Sequence, residues 1–311
     1  MFSLYLGRFN LKKLLYSLRI FQERVYALHF TKMHGLGNDY IYINGFNETV
    51  QCPEEVARLV SDRHFGIGAD GLVMILPSDH ADFRMRMFNA DGSEGKMCGN
   101  AARCIGKYVF ERGLTGKTAF TLETESGVRE IELILHGKTV DEVCVDMGIP
   151  ALETQEVPVR LPHGQGFTLP THLQGGGKIG WCVSMGNPHC VIFSDIPLKD
   201  LPLETYGQAI QSWDAFPESV NVEYVNCLSD GTLAMRVYER GSGETLACGT
   251  GACAVLVASV LAGKSEKKNT IHLKGGDLSI EWKEDGHVLM RGPAEYICDG
   301  EWYNKEADNA D

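Results

Sequence analysis

Two cysteines each open an apolar run behind a glycine and a small polar residue. Cys98 does so in "MCGNAARCIGKYVFERG", residues 97–113, and Cys248 in "ACGTGACAVLVASVLAG", residues 247–263. A thiol at a helix N-terminus meets unpaired backbone N–H groups and the positive end of the helix dipole. Ionisation is eased there, which suits the thiol to proton transfer near neutral pH. Gly99-Asn100 and Gly249-Thr250 leave the first amides uncovered and make an anion seat for a carboxylate. Two such mouths facing each other would hold one carboxylate with a thiol on either side. One thiolate then takes a proton from one face of the neighbouring carbon, and the opposite thiol delivers another. The chemistry is inversion at an amino-acid α-carbon.

A lone cysteine beside a helix usually packs as a small hydrophobe. Repetition in register argues against that here. With a constant offset of 150 the two neighbourhoods match without a gap at Met85/Met235, Arg86/Arg236, Glu94/Glu244, Cys98/Cys248, Gly99/Gly249 and Ala102/Ala252. Upstream, Gly37-Asn38 in "GLGNDYIYI" and Gly186-Asn187 in "MGNPHCVIF" recur with an offset of 149. Cys104, Cys190 and Cys253 stand beside these motifs and read as packing.

The elements that must position the thiols are also repeated. "FRMRMFN", residues 83–89, alternates apolar and basic residues as a half-buried strand does. A turn, "ADGSEG", leads into the helix from Cys98, which stops before Gly113. "TAFTLET", "VREIELIL" and "EVCVDMG" follow as strands. The second half repeats the order with "LAMRVYE", "RGSGET", the helix from Cys248 ending at Gly263, and then "TIHLK", "LSIEWK" and "HVLMRG". The second helix is apolar on every side, which calls for burial all round. The fold class expected is α+β, in two pseudo-symmetric halves, each a mixed, mostly antiparallel sheet wrapped around a central helix. The boundary falls near residue 150, giving halves 28–150 and 151–311, with a last strand that can cross back to the first half. "GQGFTLPTHLQGGGK", residues 164–178, reads as an inter-domain or surface loop. "GIGADG", residues 66–71, matches G-x-G-x-x-G, but a helix-like segment precedes it and a strand follows. That order is the inverse of a dinucleotide site.

Composition sets the bounds. A chain of 311 residues holds one large domain or two of about 140. A net charge of −12 without a basic stripe argues against nucleic acid as a partner. No run of 18 apolar residues exists to span a membrane. The ten cysteines include no C-x-x-C, so zinc-ribbon and thioredoxin readings lack their spacing. A reducing, cytoplasmic setting fits. No lysine stands in a Schiff-base context and no HxxH pair occurs, so neither pyridoxal phosphate nor a metal is called for. Residues 1–27 carry Arg8, Lys12, Lys13, Arg19 and Arg24 against Glu23. This basic stretch reads as an N-terminal extension ahead of the fold, with a transit peptide or membrane-surface helix as the other readings.

"KMHGLGNDY", "FNADGSEGKMCGN", "SMGNPHC", "ESVNVEY" and "YERGSGETLACGTGAC", in this order, resemble the diaminopimelate epimerase family from about His29 to the C-terminus. The resemblance implies a cofactor-independent epimerase interconverting LL- and meso-diaminopimelate, a homodimer in its bacterial members. It implies Cys98 and Cys248 as the two bases, and amides at Gly99, Asn100, Gly249 and Thr250 on the reacting carboxylate. It further implies His189 and Glu239 as groups tuning the thiols. Asn38, Asn89, Asn187, Asn221 and Arg240 are then the readers of the distal amino-carboxylate end. A guanidinium and several amides suit that end chemically. Many members carry Gln where this chain has Gly71, which removes one distal contact. The alternatives are a related racemase of histidine, proline or hydroxyproline, or a thiol redox or metal-binding protein. Asn100 stands where proline racemases carry His.

Overall fold

Alternation of buried Phe83, Met85 and Met87 with the arginines between them makes Phe83–Asn89 a strand with one face inward. Its counterpart Leu233–Glu239 buries Leu233, Met235 and Val237 in the same way. The computed structural model describes residues 25–153, 157–161 and 166–305. Most of the proposed N-terminal extension lies outside them, and its last residues belong to the first strand.

The first run is β1 (Val25–Gly35), β2 (Asn38–Asn44), α1 (Pro53–Ser61), β3 (Gly71–Leu76), β4 (Phe83–Asn89), β5 (Glu94–Gly95), α2 (Gly99–Glu111), β6 (Ala119–Thr124), β7 (Gly127–His136) and β8 (Thr139–Asp146). The second is β9 (Phe167–Thr168), β10 (Ile179–Ser184), β11 (Pro188–Phe193), α3 (Leu203–Gln211), β12 (Asn221–Cys227), β13 (Leu233–Glu239), β14 (Gly243–Glu244), α4 (Gly249–Leu261), β15 (Lys268–Leu273), β16 (Gly276–Trp282) and β17 (Val288–Gly292). β18 (Glu295–Lys305) closes the chain.

The pairings repeat as the elements do. β2 runs parallel to β3 with α1 in the crossover, and β11 runs parallel to β12 with α3 in the crossover. β4 and β6 are parallel across α2, as β13 and β15 are across α4. The remaining pairs are antiparallel, so the sheet is mixed and mostly antiparallel. Two ladders join the runs: β8 pairs with β17, and β18 returns to pair along the length of β1 from Val25↔Lys305. The Arg86–Glu94 fork between β4 and β5 reappears as Arg236–Glu244 between β13 and β14.

Both central helices end on a left-handed glycine, Gly113 at φ 73° and Gly263 at φ 64°. In each the next residue donates back across the last turn, Leu114 to Val109 O and Lys264 to Ser259 O, both at 2.8 Å. This is the Schellman stop. α4 is apolar throughout because strands enclose it, and Ala252 to Ala258 are fully buried. The largest core cluster is shared: Ile105 and Val143 of the first run pack in it with Val191, Leu256 and Ile280 of the second. Two satellite cores lie outside it, one under α1 with Val56 and Val60, the other beneath α3 with Leu203 and Ile210.

The segment expected as a surface loop, residues 164–178, is docked over its described part. β9 pairs with β10, and Phe167, Leu169 and Leu173 are buried in the core beneath α3. Three spaced apolar side chains outweigh the glycine-rich composition, because each gains more from burial than the turn residues lose.

Met290 of β17 is fully buried at the meeting point of the two helix starts. A Cβ on Gly99 would stand 2.5 Å from its Cε, and one on Gly249 would stand 2.8 Å from its Sδ. Met290→Ala is therefore expected to cost about 2–5 kcal/mol. The volume-conserving Met290→Leu should cost under about 1.5 kcal/mol. Urea unfolding of both variants checks the contrast, and equal costs would show that the junction is not tightly filled.

Candidate active site

Cys98 is the N-cap of α2 (φ −135°, ψ 118°) and Cys248 the N-cap of α4 (φ −122°, ψ 108°). No side chain caps either start and no acidic residue stands in either first turn. The first-turn amides of both helices thus lack the oxygen that Ser or Asp would supply. The two starts abut. Asn100 Nδ2 donates to Asn38 Oδ1 at 3.2 Å and reaches across to the carbonyl of Ala247, the residue before Cys248, at 3.5 Å. Asn100 Oδ1 is buried without a partner, and a Cβ on Gly249 would stand 3.4 Å from it.

Each thiol has its own surroundings. Cys98 is half-buried and its Sγ donates to Asn38 Oδ1 at 3.5 Å. Asn38 Nδ2 in turn donates to Asp70 Oδ2 at 2.8 Å, which fixes the amide so that its oxygen faces the thiol. Cys248 is buried, with its Sγ 3.5 Å from Thr250 Oγ1. The Glu239 carboxylate accepts a hydrogen bond from the Thr245 hydroxyl. Burial lifts the Glu239 carboxyl above its usual range against that bond. His189 Nδ1 is 2.6 Å from Glu223 Oε1, with both side chains fully buried, and its Nε2 is 3.1 Å from Asn187 Oδ1. Glu223 lies against the first turn of α4, since a Cβ on Gly251 would stand 2.8 Å from its Oε1 and 3.2 Å from Cys248 Sγ.

The expectation that the helix mouths ease ionisation is corrected here. Burial pushes both thiols above their ordinary value. At Cys98 the amides of Ala101 and Asn100 oppose burial without overcoming it. At Cys248 Glu239 and Glu223 add to burial, and that thiol is pushed up further. A helix terminus is worth about 0.3–1 kcal/mol, whereas removing a thiolate from water costs more. Cys104, read as packing, is fully buried and is pushed up to about 12. Cys190 and Cys253 are fully buried as well.

The residues expected at the distal end spread from the thiols to the surface. Asn221 is buried, donating through Nδ2 to Pro188 O at 3.0 Å and accepting from the Arg240 backbone N–H at 2.9 Å. Arg240 is exposed and donates from Nη1 to Glu218 O at 3.0 Å. Asn89 is exposed at the end of β4, with Nδ2 on Ser93 Oγ at 3.0 Å. Gly71 pairs with Asn89 in the β3–β4 ladder. Among the described residues no group of three or more His, Cys, Asp or Glu is arranged to hold a metal ion.

A family model described as diaminopimelate epimerase matches residues 30–153 and 181–297. The chain belongs to the diaminopimelate epimerase family. It is 55% identical over 276 residues to the diaminopimelate epimerase of Acetivibrio thermocellus, covering 88% of this chain and 98% of that one. It is 50% identical over 275 residues to that of Methanococcus maripaludis strain C6, covering 88% and 99%. The fold is shared more widely. A hydroxyproline epimerase from Agrobacterium vitis, solved with trans-4-hydroxy-L-proline, superposes with a TM-score of 0.65 at 13% identity over 90% of this chain and 93% of that one. A probable proline racemase from Agrobacterium radiobacter K84 superposes with a TM-score of 0.66 at 15% identity, covering 91% and 94%.

Glu223, Thr245 and Met290 escaped the sequence reading. For Glu223 a signal was present: an acid inside "NVEYVN", a strand whose first five residues are all buried. Replacing His189 by Leu strands that acid. His189→Leu should cost about 3–5 kcal/mol in urea unfolding, because the Glu223 carboxylate stays buried unpaired. A loss below about 1 kcal/mol would mean that Glu223 is not ionised in the fold.

Proposed function

We propose that this chain interconverts LL- and meso-diaminopimelate without a cofactor, by proton transfer between Cys98 and Cys248 across one α-carbon. The observation that carries the reading is the abutment of two helix starts, each with a cysteine N-cap and no side-chain cap. The reacting carboxylate takes the amides at Gly99, Asn100, Gly249 and Thr250, where the negative charge of the transition state develops. One sulfur enters the cycle as thiolate and removes the α-proton. The other enters as thiol and gives its proton to the opposite face, leaving the two protonation states exchanged. His189 and Glu239 tune the thiols. Asn38, Asn89, Asn187, Asn221 and Arg240 receive the distal amino-carboxylate group, the planar fork of Arg240 suiting a carboxylate. The two halves supply one base each, 28–150 and 151–311. The active form is a cytoplasmic homodimer. No helix among the described residues is long and apolar enough to cross a membrane.

Cys98→Ser and Cys248→Ser should each abolish most epimerisation, since a serine hydroxyl is too weak an acid and base near neutral pH. In deuterated water the wild-type protein should place deuterium in product before it appears in recovered substrate, as NMR of both pools would record. Full activity in either single variant, or turnover of proline or histidine in place of diaminopimelate, would overturn the reading.

Arg240→Lys keeps the charge and loses the fork. kcat/KM on diaminopimelate should fall by roughly tenfold or more, a charged hydrogen bond being worth about 1.5–3 kcal/mol. Steady-state kinetics with an unchanged kcat/KM would place the distal carboxylate elsewhere.

A further inference from the structure

The two thiols occupy equivalent positions in the repeat, and the charges buried around them do not. At the offset of 150, Arg103 of α2 corresponds to Cys253 of α4, Asn89 to Glu239 and Val73 to Glu223, and at the offset of 149 that holds upstream, Tyr40 corresponds to His189. The start of α4 therefore has two buried or half-buried carboxyls and an imidazole beside its cysteine. The start of α2 has a guanidinium.

Arg103 is among the largest fully buried side chains described. Its Nε donates to Pro293 O at 3.1 Å and its Nη1 stands 3.5 Å from Met290 Sδ, while Nη2 is buried with no partner. Among the described residues it makes no ion pair with a carboxylate. Its head lies against the first turn of its own helix: a Cβ on Gly35 would stand 2.8 Å from Nη2 and 3.1 Å from Asn100 Cβ. Asn100 shares the Asn38 oxygen with the Cys98 thiol. A buried cation without a counter-ion is costly, and it acts with little screening on the thiols around it, Cys104 first and Cys98 next.

We propose that Arg103 is a positioning residue that keeps the proton affinity of Cys98 below that of Cys248, so that Cys98 is the first of the two thiols to ionise and Cys248 the one that keeps its proton. This rests on the two-thiol reading and adds which sulfur gives up its proton first. The other titratable groups around Cys98 are Tyr40, Tyr42, Cys104 and, across the site, Glu239. Glu295 of β18 faces Cys104. Asp39 and Asp70, nearby, are matched by Lys32 and Arg63. None of these supplies a second unmatched cation. Around Cys248, Glu239 and Glu223 outnumber His189, which disfavours an anion there. Burial raises both thiols, Cys248 the further, in keeping with this division.

Alkylation by iodoacetamide, followed at each cysteine by peptide mass spectrometry across pH, reads the thiolates without substrate. In the wild-type protein Cys98 should react about tenfold or more faster than Cys248 near pH 7.5, one pKa unit being tenfold in thiolate. In Arg103→Met the Cys98 rate should fall about tenfold with its midpoint moved to higher pH, and Cys248 should change less than about twofold. Arg103→Lys should restore the Cys98 profile. Faster reaction at Cys248 in the wild-type protein, or an unchanged Cys98 profile in folded Arg103→Met, would overturn the proposal. If Arg103→Met does not fold, the wild-type ratio of the two rates decides alone. Preferential alkylation of Cys98 in a protein inactive on diaminopimelate would overturn the proposed reaction and leave the charge assignment standing.

Discussion

Two helix N-termini that abut bring like partial charges together, and the packing around them has to hold them there. The repulsion of two such ends is modest, about the size of a single terminus effect, and packing has to exceed it. α4 supplies that packing through side chains buried on all its faces, each large aliphatic worth about 1.5–3 kcal/mol. Gly99 and Gly249 let the helix starts close on Met290, where any Cβ would collide. Under the proposed reaction the same juxtaposition would favour an anion between the two starts, since a helix N-terminus favours negative charge.

The ladders explain why the two halves cannot drift apart. β8 pairs with β17, and β18 crosses back to lie along β1, so each half is clamped by strands from the other. The central core is correspondingly continuous from one helix to the other. The proposed proton transfer between two sulfurs and one carbon would need such a clamp, since it tolerates little change in spacing.

The repeat keeps the scaffold and alters the charges. The Arg86–Glu94 and Arg236–Glu244 forks, the Schellman stops and the parallel crossovers recur in register. The buried ionisable groups do not: Arg103 stands on one side, Glu239, Glu223 and His189 on the other. Such groups are costly in a core unless they are matched, and their separation gives two identical residues different proton affinities.

The repeat, the two cysteines with their glycines, and the central helices were legible along the chain because they rest on local signals. Those signals are a fixed offset, apolar periodicity and left-handed glycine stops, as at Gly113 and Gly263. The strand Phe83–Asn89 could be read from alternation alone. The docking of Phe167, Leu169 and Leu173 could not, since glycine and proline around them masked three apolar residues whose partners lie far along the chain. Nor could the sequence give the state of the thiols. A helix mouth is a local feature that favours the thiolate, but burial is a sum over everything packed around the sulfur, and burial prevails. Glu223 against the first turn of α4, and Arg103 without a carboxylate, were likewise decided only in three dimensions. Electrostatic environment depends on distance through space and on exclusion of water, and neither is written in the order of residues.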